Sequence, residues 1–170
     1  MSDALRDALP DAPRHHLAES AAEASVPDAS GESEEHIFSL AQISVFLENR
    51  PGTLAEATRV LAAAGVNLRA LMIAETERFG IMRIITDSTD AAIAALSAAG
   101  YTTRTTDVIG VEVPDRAGGL ADLLGVFEGS QVAIEYMYAE LAGREGRALL
   151  IMKATPRDEA LALLHGASLY

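Results

Sequence analysis

A chain of 170 residues is long enough for one ordinary domain or two small ones, and 49% hydrophobic residues with only 5% aromatics supply a core that must be aliphatic. The absence of cysteine excludes disulfides, thiolate nucleophiles and Cys-bound metal, and no apolar run is long enough to cross a bilayer as a helix. A net charge of -12 repels nucleic-acid phosphates and anionic membranes, so a soluble cytoplasmic protein that binds neither is expected.

The charge is uneven. Residues 1–36 carry nine acidic side chains against Arg6 and Arg14 alone. This stretch has no sustained apolar stripe and reads as an acidic flexible N-terminal arm, with a transient helix around residues 13–24. It also holds His15, His16 and His36. A flexible arm does not preorganise a metal site, so no metal and no cofactor are expected.

Order is expected from Ile37, where Ala41, Ile43, Val45 and Leu47 alternate with Gln42, Ser44 and Phe46 and form one apolar strand face. Pro51 and Gly52 break that strand. Leu54, Ala57, Leu61 and Ala64 then recur at helical spacing up to Gly65, a C-cap. Strands over residues 66–74 and 80–86 flank the polar turn 75–78, as in a hairpin. Asp87 or Asp90 caps a second helix carrying Ile93 and Leu96, Gly100 ends it, and residues 101–106 form a fourth strand.

The same events recur further on: a strand over 108–113, a helix over 119–128, strands over 131–141 and 147–154, and a helix over 157–165. The second copy stops short. Only Ala167-Ser168-Leu169-Tyr170 remains for its last strand, so that edge is either short or completed by another segment. The fold expected is α+β, with two tandem ferredoxin-like βαββαβ units over residues 37–106 and 107–170. Each unit is an antiparallel sheet with helices on one face, leaving the other face and the edges available for pairing.

The most informative stretch is Leu47-Glu48-Asn49-Arg50-Pro51-Gly52-Thr53-Leu54, and Asp115-Arg116-Ala117-Gly118-Gly119-Leu120 repeats its second half 66 residues later. A glycine turn at a helix N-terminus presents backbone N–H groups beside the positive end of the helix dipole, an arrangement suited to a carboxylate or phosphate. Asn49 can both donate and accept, and so can read an ammonium and a carboxylate together. The plainer alternative is a tight turn capped by Asn49. Arg50 and Arg116 recur in both turns, either clamping an anion or simply solvated. Tyr136, Met137 and Tyr138 either line a pocket or pack alternately into a core or interface, and His165 sits in the last turn of a helix, where a positive group suits the dipole.

The first turn, followed by Ala62-Ala63-Ala64-Gly65-Val66-Asn67-Leu68, resembles an ACT domain, the small amino-acid-sensing module of amino-acid metabolism. The resemblance spans Leu40 to about Leu169 as two tandem copies, similar to stand-alone tandem ACT proteins. The first turn is similar to the serine-sensing ACT domain of phosphoglycerate dehydrogenase. It implies a site between two ACT units, with a ligand held by Asn49, Arg50, Pro51, Gly52, Thr53 and Leu54 of one unit and by Asn67 of the facing unit. Asn67 opens the second strand, and our reading puts it at the same end of its unit as the Gly52 turn.

Leu47 stands where the serine-sensing family has a histidine, so the resemblance leaves the identity of the amino acid open. The second copy departs further: Asp115 replaces the asparagine, Ala117 the proline, and Ala133 stands where Asn67 would be. Asp115, Arg116, Gly118, Gly119 and Leu120 thus form a weaker second site, repulsive to a carboxylate and attractive to an ammonium. Pairing like units across two chains brings Asn49 to the partner's Asn67. Pairing the copies within one chain brings Asn49 to Ala133 and Asp115 to Asn67. A homodimer is the expectation.

The function expected is therefore a non-catalytic, regulatory, allosteric protein that binds a small amino acid at an ACT–ACT interface and acts in trans on an unidentified partner enzyme. The alternatives are a protein-interaction module with vestigial sites and, more remotely, an acylphosphatase-like hydrolase using Arg50 and Asn67. Against the hydrolase, no nucleophile, base and orienting group fall together in the sequence.

Overall fold

The computed structural model describes residues 36–75, 79–140 and 146–167; the acidic arm up to residue 35, both hairpin tips and the C-terminal Ser168-Leu169-Tyr170 lie outside the described residues. The elements run β1 (Ile37–Glu48), α1 (Thr53–Ala63), β2 (Leu68–Glu75), β3 (Phe79–Thr86), α2 (Thr89–Ala98), β4 (Thr102–Pro114), α3 (Gly119–Gly125), β5 (Ala133–Ala139), β6 (Arg147–Thr155) and α4 (Arg157–Gly166). No helix among the described residues is long and apolar enough to cross a membrane.

The alternating residues of β1 do face a core, and α1 and α2 cover it. Ile43, Val45 and Leu47 pack with Ala57, Leu61, Met82, Ile84 and Leu96. Helix α1 turns Thr53, Ala57 and Leu61 inward, spaced four residues apart, so Leu54 points outward at 40% exposure rather than joining the stripe. Gly65, at φ 71, ends α1: its amide reaches Ala62 O, and Val66 N reaches Leu61 O. The α2 N-cap is Ser88 rather than an aspartate, and the Asp87 carboxylate instead accepts the Asn67 amide at 3.0 Å.

In the second copy Ile109, Val111 and Val113 pack with Leu123, Phe127, Met152, Ala160 and Leu164. Helix α3 ends at Gly125, short of the expected 128. Val126, Phe127 and Glu128 instead make i→i−3 bonds to Leu123, Leu124 and Gly125, a tightening that follows a glycine with low helix propensity.

Two expectations about separate units change. The fourth strand of the first copy and the first strand of the second are one unbroken strand, β4, so no linker separates the copies. The sheet is a single antiparallel one in the order β2-β3-β1-β4-β6-β5. Strands β1 and β4 form its spine, paired from Ile37–Val111 to Phe46–Thr102. The second half of β1 and first half of β4 serve the first unit. The first half of β1, residues 37–41, lies beside Asp107–Val111, on the side of β4 where a fourth strand of the second unit would pair.

The face away from the helices is not left open either. The sheet curls until its edge strands touch, through an antiparallel bridge between Ala70 of β2 and Glu140 just past β5. A third apolar cluster fills the space enclosed, with Leu40, Ala70, Ile85, Val108 and Ile151 beside Phe38, Tyr136 and Tyr138. Gly110 has its place here, since a Cβ on it would lie 2.8 Å from Leu40 Cδ1.

Bulges sit at matching points of the two copies, between Leu68 and Ala70 in β2 and between Ile134 and Tyr136 in β5. Each adds one residue to the strand and changes which face the following side chains take. Leu68 and Ile134 pack on the helix side, while Ala70 and Tyr136 enter the enclosed space.

Candidate functional site

The turn that ends β1 is built from backbone bonds. Arg50 N donates to Glu48 O at 2.8 Å, Thr53 N to Arg50 O at 3.3 Å, and Glu56 N to Gly52 O at 2.9 Å. The Thr53 hydroxyl adds a bond to Arg50 O at 3.1 Å, and Thr53 is 4% exposed. Gly52 sits at φ 90, ψ -15 as the helix N-cap, a left-handed conformation that a side chain strains. Around this frame Asn49, Arg50, Pro51, Gly52 and Leu54 are all exposed.

The turn after β4 repeats the three backbone bonds, without a counterpart to the Thr53 hydroxyl bond. Arg116 N reaches Pro114 O at 2.9 Å, Gly119 N reaches Arg116 O at 3.0 Å, and Asp122 N reaches Gly118 O at 2.9 Å, with Gly118 at φ 94. The second turn is more tightly seated, because a Cβ on Gly119 would run into the Pro114 carbonyl oxygen. Asp115 N is held by Gly146 O at 3.0 Å, Gly119 is buried, and Asp115, Arg116, Gly118 and Leu120 are exposed.

The two arginines are placed differently. Arg50 Nε donates to Glu48 Oε2 at 2.7 Å, a contact that raises its pKa above the ordinary value and keeps it firmly cationic. Arg116 folds the other way, giving Nη2 to Asp122 Oδ2 at 2.7 Å and Nη1 to Ala117 O at 3.2 Å. Each cation thus stands beside its turn with one carboxylate already at hand. Both pairs are solvent-exposed and energetically small.

Asn67 is exposed, and its backbone forms a reciprocal pair with Asp87: Asn67 N to Asp87 Oδ1 at 3.0 Å and Asp87 N to Asn67 O at 3.2 Å. The expectation that Asn67 lies at the same end of its unit as the Gly52 turn is corrected. Glu48 pairs with Phe79 and Leu68 with Thr86, at opposite ends of β3. Seven steps of about 3.3 Å put them roughly 23 Å apart along the strand. The reason is topological: β1 and β2 are parallel, both pairing antiparallel to β3, so the end of one is remote from the start of the other.

Across the bridged edges the succession Ala70, Glu140, Leu149, Glu112 links β2 to the C-terminal end of β4. Asn67 therefore lies toward the end of the molecule that carries the Asp115 turn. The copies are paired within one chain, and in that pairing Asn49 is at the far end from its own Asn67.

Sequence reasoning missed a polar group inside the enclosed space. Gln42 is 0% exposed; its Nε2 donates to Tyr136 Oη at 2.9 Å and to Ser44 Oγ at 3.3 Å, and its Oε1 accepts from the Tyr138 hydroxyl at 3.1 Å. The Arg83 guanidinium lies 4.1 Å from the centroid of the Tyr136 ring. Burial pushes the Tyr138 hydroxyl pKa well up, with Tyr136 adding to the rise and Arg83 opposing it. Six residues before Gln42, just ahead of β1, His36 Nδ1 lies 3.2 Å from the buried Glu112 Oε2. Alternation in β1 assigned Gln42 and Ser44 to an open face; the one available signal was the pair of tyrosines two residues apart in β5.

A family model described as an ACT domain pair matches residues 38–166. A crystal structure of a protein from Bacteroides thetaiotaomicron is similar at 36% identity and TM-score 0.71, over 78% of this chain and 90% of that one. The ligand-free regulatory subunit of aspartate kinase from Thermus thermophilus shares the fold at 19% identity and TM-score 0.52, over 78% and 99%. The corresponding subunit from Thermus flavus shares it at 19% and 0.54, over 76% and 94%. Curated proteins offer no match.

Proposed function

The chain belongs to the family of paired ACT domains, and from that premise we propose that it is a non-catalytic regulatory protein that binds a small amino acid and acts in trans on a partner enzyme. The observation that carries this reading is the frame shared by the two turns. The same three backbone bonds recur 66 residues apart, each with a left-handed glycine that brings the chain close to whatever sits over the helix start. A carboxylate is favoured there by the first-turn amides and the dipole of the eleven-residue α1.

In this reading the first turn is the working half-site. Asn49 reads the ammonium and carboxylate together, Arg50 adds positive charge, Pro51, Gly52 and Thr53 fix the turn, and Leu54 offers an apolar contact. Asn67 completes the site from a second copy of the chain, since β1 and β2 separate the two asparagines within one chain. The second turn, with Asp115 in place of the asparagine and a seven-residue α3, contributes a structural equivalent or a site of different preference.

The direct test is titration of the twenty standard amino acids by calorimetry, repeated with Asn49→Ala. Binding of a small amino acid that the substitution abolishes supports the reading. Heat from none of the twenty would leave the fold intact and the sensing role without support.

A further inference from the structure

We propose that the paired units open and reclose along the β2–β5 seam, that the β1–β4 spine is the hinge, and that the Gln42–Tyr136–Tyr138 strut across the enclosed space is the latch.

The two sides of the molecule are joined very unequally. On one side β1 and β4 pair continuously along their length, so separation there requires breaking the middle of the sheet. On the other side, among the described residues, β2 and β5 meet at one bridge, Ala70–Glu140, supplemented by Arg69 Nε at 3.4 Å from Glu140 Oε1. The Arg69 side chain is 35% exposed and that of Glu140 8%, so the pair has one buried partner and reinforces the bridge. With one bridge against a continuous ladder, and the apolar cluster exposed by separation on either side, the seam is the line along which local opening breaks the fewest backbone bonds.

What holds the seam shut lies inside. Strands β1 and β5 stand on opposite walls of the curled sheet, and the Gln42 amide joins them through both tyrosine hydroxyls. Its remaining donor reaches Ser44, so the buried amide is fully engaged only when the units are closed. Arg83 on Tyr136 adds a second contact from the first unit's wall. A polar strut differs from an apolar one in kind. Partial separation leaves buried donors and acceptors unmatched, whereas full opening lets water replace every bond. The strut thus disfavours intermediate positions and makes closure two-state.

Adjacent residues of β4 provide the test, because Val108 faces the enclosed space and Ile109 faces the helices, at 1% and 0% exposure. The chain has no cysteine, so Val108→Cys and Ile109→Cys each introduce a single thiol. Reaction with an aromatic disulfide reagent under native conditions reports how often each face opens. Val108→Cys is expected to react at least about tenfold faster than Ile109→Cys, since local opening at the seam uncovers only the first. Adding Tyr136→Phe and Tyr138→Phe is expected to raise the Val108→Cys rate by about another tenfold and leave Ile109→Cys unchanged.

Equal rates at the two thiols would mean that both faces open only by global unfolding, and would overturn the proposal. So would phenylalanine substitutions that accelerate both thiols alike or neither. If the double substitution prevents folding, Tyr136→Phe alone removes one of the two hydroxyls and preserves the comparison.

Discussion

Asn67 and Asp87 hold each other by reciprocal bonds, the Asn67 amide to the Asp87 carboxylate at 3.0 Å and the Asp87 amide to the Asn67 carbonyl at 3.2 Å. The pair ties the start of β2 to the end of β3 using only the backbone of Asn67. Stability and ligand binding at this corner are therefore separable. Asp87→Ala leaves the Asn67 amide without its carboxylate and is expected to lower stability by about 1 kcal/mol in urea unfolding. Asn67→Ala keeps both bonds and should leave the unfolding midpoint within about 0.5 kcal/mol of wild type, while amino-acid affinity falls about tenfold by calorimetry.

The two turn glycines at the helix starts respond differently to a methyl group. Gly52→Ala meets no neighbour, and its penalty is the left-handed backbone alone, about 1 kcal/mol. Gly119→Ala drives a Cβ against the Pro114 carbonyl and is expected to exceed it, at about 2–3 kcal/mol. Thermal melts of the two variants should rank in that order. The reverse order would mean that the second turn relaxes freely.

Leu40 fills the space between the two units rather than either helix-covered core. At 3% exposure, Leu40→Ala should cost about 2–5 kcal/mol, as much as a substitution in a conventional core. A loss below about 1 kcal/mol in denaturant unfolding would show that the enclosed space contributes little to stability.

The raised pKa of Tyr138 makes an alkaline prediction. The folded state favours the neutral phenol, whereas the unfolded chain releases the proton near the ordinary value of 10.0. Below that pH both states hold the proton and Tyr138 contributes no pH dependence. Above it the unfolded state gains by ionising, and stability falls by up to about 1.4 kcal/mol per pH unit until the folded phenol also titrates. Comparing wild type with Tyr138→Phe from about pH 9 to about pH 11 isolates the effect, and parallel curves would contradict it.

Much of the fold was legible because its signals are local. The period-two run in β1, the break at Pro51-Gly52, the helical spacing of Ala57 and Leu61 and the glycine stop at Gly65 each act within a few residues. The second turn was legible as a copy, and the structure gives it the same bonds. The geometry of the candidate site was only half legible. Gly52 and Thr53 form the expected turn, but Asn67 opens β2, and the strand–helix–strand crossover that makes β1 and β2 parallel puts the start of one at the far end from the close of the other.

By itself the sequence determined which segments are strands and helices, that they recur as two ferredoxin-like copies, and which residues sit at the turns. Tertiary structure alone decided that the two copies share the unbroken strand β4, that residues 37–41 pair with the second unit's first strand, and that Gln42 is buried against Tyr136 and Tyr138. The physical reason is that alternation distinguishes the two faces of a strand without naming what each face meets. A polar residue opposite a helix-covered core reads as solvent-facing until a second unit, joined through distant strand pairing, arrives to cover it.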